Sequence, residues 1–171
     1  MPENNNLFLV GPMGSGKSTI GRQLARRLKK SFFDSDHEIE DQTGASISLI
    51  FDIEGETGFR KREADMIDEL TQKQDIVLAT GGGVILAAEN REHLMNRGTV
   101  LYLHAPLKKL FYRTSRDSKR PLLQTDDPRE KLRQIVAERD PLYREAADLI
   151  VETENRTVHQ VVSYIIRQIK K

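Results

Sequence analysis

The stretch "LFLVGPMGSGKSTIG" (7–21) decides the fold, because it joins a buried strand to a helix through a glycine-rich turn. The apolar run 7–10 predicts the strand, and residues 11–18 fit the pattern G-x-x-x-x-G-K-[ST]. Glycines let backbone N–H groups turn inward around an anion, and the helix N-terminus adds partial positive charge. A preceding strand and a following helix separate a true phosphate loop from a chance match. The stretch therefore predicts a nucleotide phosphate site, and the alternative is a glycine-rich turn capped by Ser18.

Individual residues of this loop have predicted roles. We expect Lys17 to reach the β and γ phosphates of ATP and Ser18 to place its hydroxyl on Mg²⁺. The dinucleotide pattern G-x-G-x-x-G fails because Thr19 occupies its last glycine position, which disfavours a Rossmann cofactor site. The ATP-binding residues predicted from the loop are Gly14, Ser15, Gly16, Lys17, Ser18 and Thr19.

Five apolar runs recur along the chain, and they are continuous rather than alternating. Such runs are typical of strands covered on both faces. Segments with helical spacing lie between them, for example Ile20, Leu24 and Leu28. Strands that alternate with helices predict an α/β fold with a mainly parallel sheet. The runs are residues 7–10, 31–34, 76–80, 99–103 and 148–151.

Length and composition indicate one ordinary globular domain. The 171 residues include 27 Lys plus Arg and 26 Asp plus Glu, so the net charge of +1 gives no global field for binding nucleic acid or a membrane. The chain has no cysteine, which weakly favours a reducing compartment. The N-terminus does not resemble a signal peptide, and no run of 18 apolar residues occurs. We expect a cytoplasmic monomer with small-molecule partners.

Two segments depart from the simple alternation of strands and helices. Residues 37–75 are long for one crossover and carry two helix-like stretches, 36–54 and 57–73, hinged near "EGETG". An insertion of this kind is expected to hold substrate. Residues 114–130 are polar, contain two prolines and lack an apolar period, which predicts a loop or lid.

Two acids, Asp34 and Asp36, stand at the end of the run 31–34. A phosphate-loop enzyme needs a carboxylate at a neighbouring strand end for Mg²⁺, and Asp34 fits best, with Glu152 as its competitor. If the strand continues through Ser35, both acids point to one side. Asp36 then faces the phosphoryl acceptor, where it can accept the proton of an attacking hydroxyl. The alternative for the pair is helix capping.

Three consecutive glycines, Gly81, Gly82 and Gly83, follow the third apolar run. In α/β folds ligands bind at the carboxyl ends of strands, and glycines allow a ligand to approach the backbone amides closely. The triplet therefore predicts a substrate contact. The alternative is a flexible connection, although one or two glycines would suffice for that.

Arginines mark two further candidate positions and the lid. Arg60 lies in the insertion with Glu63 one helical turn later, able to orient it. Arg139 precedes an Asp-Pro pair that is expected to stop its helix at Pro141. Arginine forks suit carboxylates and phosphates, although each of these alone also fits a surface or helix-end position. Arg120, in the loop, is placed to close over phosphates or is an ordinary loop residue.

Taken together, these motifs resemble those of shikimate kinases over essentially the whole chain. The matching segments, in order, are "GPMGSGKSTIG", "FFDSDHEIE", "TG.SI..IF...GE..FR..E", "LATGGG", "KRPLL", "ERDPLY" and "ENRT". The resemblance implies one three-layer α/β/α domain over residues 1–171, with a central five-stranded parallel sheet as in nucleoside monophosphate kinase-like P-loop proteins. It also implies a substrate-binding insertion at about 35–62 and a mobile lid at about 112–127.

The activity implied by the resemblance is Mg²⁺-dependent transfer of the γ-phosphoryl group of ATP to the 3-hydroxyl of shikimate, a step of chorismate and aromatic amino acid biosynthesis. By position, Asp34 would help organise Mg²⁺ together with Ser18, and Asp36 would bind the acceptor hydroxyl and act as its base. Arg120 would contact the ATP phosphates. The implied catalytic residues are Asp36, Lys17 and Arg120; the implied substrate residues are Asp36, Arg60, Glu63, Gly81, Gly82, Gly83 and Arg139; and Arg113 and Arg156 would lie by the adenine.

Two other functions are compatible with the phosphate loop. A related kinase of gluconate or a nucleoside monophosphate would keep the fold but leave the Arg60 and Arg139 pair without the partner implied for it. A non-catalytic ATP-dependent switch would not need Asp36. Release of ADP that depends on an added acceptor distinguishes these possibilities.

Overall fold

A central sheet of five parallel strands organises the chain, whose computed structural model describes residues 5–115 and 125–171. The order across the sheet is β2-β3-β1-β4-β5, and every neighbouring pair is parallel. The strand bounds agree with the five apolar runs to within one residue, so the predicted sheet is confirmed. The strands are β1 (Leu7–Val10), β2 (Ser31–Asp34), β3 (Ile76–Ala79), β4 (Thr99–His104) and β5 (Leu149–Glu152).

Helices cover both faces of the sheet, which gives the predicted three layers. Alternate residues of β1 face opposite sides: Phe8 packs in the core with α3, α4 and α6, and Leu9 packs in the core with α1 and α7. No helix in the described part of the chain is long and apolar enough to cross a membrane. The helices are α1 (Lys17–Leu28), α2 (Ser35–Thr43), α3 (Ile47–Thr71), α4 (Ala88–Arg97), α5 (Leu107–Thr114), α6 (Pro128–Ala146) and α7 (Val158–Ile169), with a short 3₁₀ helix at Val84–Leu86.

The insertion breaks earlier than the sequence pattern predicted. Its first helix ends at Gly44, which has a left-handed φ of 71° and donates its N–H to Glu40 O. The next helix begins after Ser46, whose side chain accepts from Leu49 N–H, and it continues through the segment predicted as the hinge. At the predicted hinge the helix is kinked at Gly55, which has φ 73° and ψ −179°.

The prediction that Pro141 ends its helix is wrong, because α6 continues to Ala146. A proline in a helix interior costs about 3 kcal/mol, since it removes one hydrogen bond and crowds the preceding turn. Burial of Tyr143 and Ala146 beyond the proline offsets this cost. As a consequence, Arg139 and Tyr143 stand one turn apart on the same face of α6.

The parallel register brings the three polar segments to one edge of the sheet. Asp34 at the end of β2 is paired with Ala79 at the end of β3, and Ala79 is paired with Leu9 of β1. The phosphate loop, the paired acids and the glycine triplet each follow one of these strands. They therefore meet at the carboxyl edge, where ligands of such sheets bind.

Candidate active site

A cleft of about 920 Å³ opens at this carboxyl edge. Its volume lies at the upper end of the range for ligand pockets. Every predicted site residue that the structure describes lines it, whereas Arg120 and most of the predicted lid lie outside the described residues. The predicted residues in the lining are Gly14, Ser15, Gly16, Lys17, Ser18, Thr19, Asp34, Asp36, Arg60, Glu63, Gly81, Gly82, Gly83, Arg113, Arg139 and Arg156.

The phosphate loop has the backbone conformation that its glycines permit. Gly14 and Gly16 have φ values of 83° and 93°, a region that side chains disfavour. A Cβ on Gly14 would lie 3.1 Å from Leu110 O, so the loop packs closely against α5. Lys17 is nearly buried, and its Nζ donates to Gly11 O at 2.5 Å and to a second loop carbonyl at 2.8 Å. The lysine is thus held across the mouth of the loop.

Asp34 connects the loop to the insertion through both of its oxygens. Oδ2 accepts from Ser18 Oγ at 2.5 Å, and Oδ1 accepts from the N–H groups of Asp36 and His37 at 3.0 and 3.2 Å. The capping alternative is therefore correct for Asp34, which at the same time faces Ser18. The competitor Glu152 pairs instead with His104, at 2.8 Å between Oε2 and Nδ1.

The two acids do not lie on one strand, so the condition that β2 continues through Ser35 is not met. The strand ends at Asp34, and Asp36 belongs to the first turn of α2. The reason is the cap itself, since Asp34 Oδ1 satisfies helix N–H groups that an extended chain would direct elsewhere. The helical turn separates the acids, so that Asp34 faces the phosphate loop and Asp36 faces the glycine triplet.

Two carboxylates and two guanidinium groups surround the glycine triplet. A Cβ on Gly81 would lie 2.8 Å from Asp36 Oδ1 and 3.2 Å from Glu63 Oε2. A Cβ on Gly83 would overlap the Arg60 guanidinium, and one on Gly82 would lie 3.6 Å from an Arg139 nitrogen. A side chain at Gly81 or Gly83 would thus collide with charged groups, whereas a Cβ at Gly82 would make only ordinary contacts. The triplet is therefore more than a flexible connection.

Glu63 holds Arg60 in place from a buried position. The Arg60 Nη1 to Glu63 Oε1 distance is 2.8 Å, and the glutamate is only 1% exposed. Burial raises the pKa of Glu63 from its ordinary value near 4.5 to about 7, Arg60 opposes this rise, and Asp36 adds to it. The charge of this cluster therefore changes near neutral pH.

The Glu63→Gln variant is expected to gain stability relative to the natural protein as the pH rises from 5 to 8. The folded pKa of Glu63 lies above its unfolded pKa, so its contribution to stability is complete below about pH 4.5 and is lost as the pH passes 7. The relative change should reach about 3 kcal/mol in urea unfolding experiments. Glu56→Gln, which touches the same Arg60 from an exposed position, is the control and should show little pH dependence. A pH-independent difference for Glu63→Gln would show that its carboxyl titrates normally.

Sequence reasoning missed two hydroxyl groups that contact the triplet. Ser35 Oγ accepts from Gly81 N–H at 3.1 Å, and Tyr143 OH donates to Gly82 O at 2.6 Å. Ser35 lies between the two acids and had no predicted role. Tyr143 is four residues after Arg139, a spacing that would have indicated it if the helix had been expected to pass Pro141.

The two arginines predicted to lie by the adenine also have contacts in the structure. Arg113 Nη1 donates to Gly14 O at 2.9 Å, which ties α5 to the phosphate loop. The Arg156 guanidinium carbon lies 4.4 Å from the centre of the Tyr164 ring. Both side chains line the cleft, and their contact with adenine stays a prediction.

Comparison with known proteins gives similarity over nearly the whole chain. A family profile described as shikimate kinase matches residues 13–170. The chain is 58% identical to shikimate kinase of Nitrosococcus oceani, over 98% of this chain and 88% of that relative. It is 56% identical to shikimate kinase of Photobacterium profundum, over 100% of this chain and 98% of that relative. The solved structure of shikimate kinase from Acinetobacter baumannii in complex with shikimate has a TM-score of 0.96 at 50% identity, covering 98% of this chain and 94% of that one.

Proposed function

Because this chain belongs to the shikimate kinase family, we propose that it transfers the γ-phosphoryl group of ATP to the 3-hydroxyl of shikimate, giving shikimate 3-phosphate and ADP. The observation that carries the proposal is the surrounded glycine triplet, with Asp36 beside its first glycine and Arg139 and Arg60 beside the next two, in one cleft with the phosphate loop. An acceptor with an anionic end and a hydroxyl end matches this division of charge. The likeness to a structure that holds shikimate supports the same acceptor.

At the acceptor end, Arg60 and Arg139 bind the carboxylate of shikimate. Planar guanidinium groups can donate two parallel hydrogen bonds to a carboxylate, and Arg139 is 5% exposed, so little water competes. Glu63 holds Arg60 in the required direction through the 2.8 Å ion pair. Asp36, beside Gly81, orients the acceptor hydroxyl and accepts its proton.

At the nucleotide end, the phosphate loop binds the ATP phosphates. Inward backbone N–H groups and the N-terminus of α1 supply partial positive charge, and Lys17 adds a full charge. Arg113 and Arg156 lie by the adenine. Arg120, outside the described residues, contacts the phosphates in this proposal and stabilises charge on the transferred group.

Mg²⁺ fits the residues at Ser18 and Asp34, and these two would hold it. Their oxygens are the hard donors that Mg²⁺ prefers, and they already lie together beside the phosphate loop. When bound, the ion supplies charge neutralisation on the ATP phosphates. Asp34 Oδ1 remains engaged with the helix N–H groups, so this carboxylate is oriented by the protein before any ligand arrives.

The chain's own contribution to catalysis is mostly positioning. Phosphoryl transfer requires little covalent chemistry from the protein, so rate comes from alignment and from charge near the transferred group. The loop and the acceptor cluster are fixed by adjacent strands of one sheet, which sets the distance between donor and acceptor. The cytoplasmic location and monomeric state expected from the sequence stay predictions.

An acceptor screen tests the proposal. ADP release is measured with the purified chain, ATP and Mg²⁺, in separate reactions with shikimate, gluconate, nucleoside monophosphates and no acceptor. We expect rapid release with shikimate only. Nucleoside monophosphates lack a carboxylate for the arginine pair, and gluconate carries its carboxylate and hydroxyl groups on a flexible open chain, whereas the ring of shikimate holds these groups at a fixed separation. Preference for another acceptor would refute the substrate, and equal release without an acceptor would refute the transferase.

A further inference from the structure

We propose that the buried hydroxyl groups of Tyr143 and Ser35 are positioning groups that fix the glycine triplet in the acceptor site. The proposal rests on the proposed function, because it concerns how the acceptor is held. Neither hydroxyl needs to touch the substrate. Both act through the backbone of Gly81 and Gly82.

Tyr143 reaches the triplet from α6. Its side chain is 1% exposed, and its OH donates to Gly82 O at 2.6 Å. Burial raises the pKa of Tyr143 to about 12, and Arg139 opposes this rise, so the phenol keeps its proton at neutral pH and stays a donor. One turn of α6 therefore presents both the carboxylate-binding Arg139 and the anchor of Gly82.

Ser35 reaches the triplet from the start of α2. The residue is completely buried, and its Oγ accepts from Gly81 N–H at 3.1 Å. Because Ser35 directly precedes Asp36, the start of the triplet is tied to the residue beside the predicted hydroxyl-binding carboxylate. The triplet thus lies between an anchor next to Asp36 and an anchor next to Arg139.

Because the peptide bond is planar, a hydrogen bond to one C=O group also fixes the direction of the N–H group in the same peptide unit. The C=O of Gly82 and the N–H of Gly83 belong to one planar unit, so the bond from Tyr143 also fixes the direction of Gly83 N–H. In the preceding unit, Gly81 O accepts from Val84 N–H at 3.1 Å, which fixes Gly82 N–H. Neither of these two fixed N–H groups donates a hydrogen bond within residues 5–115 or 125–171, so both are available to a bound shikimate molecule.

Glycine makes such anchors necessary. A run of three glycines has more backbone freedom than any other tripeptide, and this freedom would otherwise have to be lost when the acceptor binds. Anchoring the peptide units in advance lowers that cost and keeps the N–H groups aligned. Loss of an anchor is therefore predicted to weaken binding of the phosphoryl acceptor far more than binding of ATP.

The Tyr143→Phe variant tests the anchor on α6. We expect its KM for shikimate to rise about tenfold, because Gly82 O loses its buried donor and the peptide unit can rotate. The KM for ATP at saturating shikimate should stay within about twofold, because the phenol donates to Gly82, which lies outside the phosphate loop. Steady-state kinetics of ADP release measure both constants, and circular dichroism monitors folding.

Tyr102→Phe is the matched control. Its ring lies 4.9 Å from the Tyr143 ring, and its OH donates to Asp140 at 2.6 Å instead of to the triplet. The control loses one buried hydroxyl from the same aromatic pair, so its KM for shikimate should stay near that of the natural protein. Equal increases in the two variants would overturn the positioning role in favour of general packing, as would an unchanged KM in Tyr143→Phe.

Ser35→Ala provides a second, independent variant. It removes only the acceptor of Gly81 N–H and is expected to raise the KM for shikimate severalfold with little effect on the KM for ATP. An unchanged KM for shikimate would remove Ser35 from the proposal. The natural protein is assayed beside the variants, so absence of shikimate turnover there would count against the proposed function, and normal kinetics in the variants against this inference alone.

Discussion

Asp36→Asn is expected to lower kcat by about 10²–10⁴-fold, the range typical of a lost general acid–base group. Asparagine keeps the shape of the side chain and can still contact the acceptor hydroxyl, but it cannot accept a proton at neutral pH. The KM for shikimate should change much less. Rapid-mixing measurement of product formation, with ATP affinity determined separately, reports the two effects.

ATP affinity should survive the Asp36→Asn change, because the proposed nucleotide contacts come from Asp34 and the phosphate loop. Asp41→Asn is the control, since Asp41 lies on the same helix with its carboxylate exposed beside His37. This control should retain full turnover. Substantial turnover in Asp36→Asn would remove Asp36 from the role of base and leave it only the alignment of the hydroxyl.

Arg139→Met is expected to raise the KM for shikimate by about 10²-fold or more. The reason is that removing one partner of a buried charge pair, here the guanidinium opposite the shikimate carboxylate, costs about 2–5 kcal/mol. Methionine retains apolar volume but has no group to bind a carboxylate. Turnover with saturating shikimate should fall less than kcat/KM. Initial rates over a wide range of shikimate concentration measure this difference.

The Arg139→Met change should also lower the free energy of unfolding. Arg139 lowers the pKa values of both Glu63 and Tyr143, so its removal leaves the buried glutamate with less compensating charge. Arg144→Met is the control, because Arg144 lies on the same helix and pairs with Asp140 at the surface. An unchanged KM for shikimate in Arg139→Met would contradict the proposed carboxylate contact.

Local sequence patterns were sufficient to predict the structure of segments whose conformation depends on their own residues. The phosphate loop could be predicted because glycines, a lysine and a flanking strand and helix occur at fixed spacing in one stretch. The strands could be predicted because the apolar runs are short, continuous and separated by segments with helical spacing, a combination typical of a parallel sheet. Chain order and the resemblance then placed Asp36, Arg60 and Arg139 among the site residues.

Patterns failed where distant contacts outweigh local preference. Pro141 was expected to end α6, but the burial of Tyr143 and Ala146 stabilises another turn beyond it. Asp34 was expected either to cap a helix or to face the metal; in the structure Oδ1 caps α2 while Oδ2 accepts from Ser18 Oγ, and the contact with the metal stays a prediction. Spacing along the chain cannot reveal such a division, because Ser18 belongs to another element.

The sequence by itself determined the α/β class, the phosphate loop and the residue types of the site, since these follow from periodicity and local motifs. Only the tertiary structure decided which groups meet at the glycine triplet. Its charged neighbours come from α2, α3 and α6, and hydrogen bonds from Ser35 and Tyr143 anchor it. The physical reason is that a contact between residues as far as 61 positions apart depends on packing of the whole sheet and its helices, which no local pattern encodes.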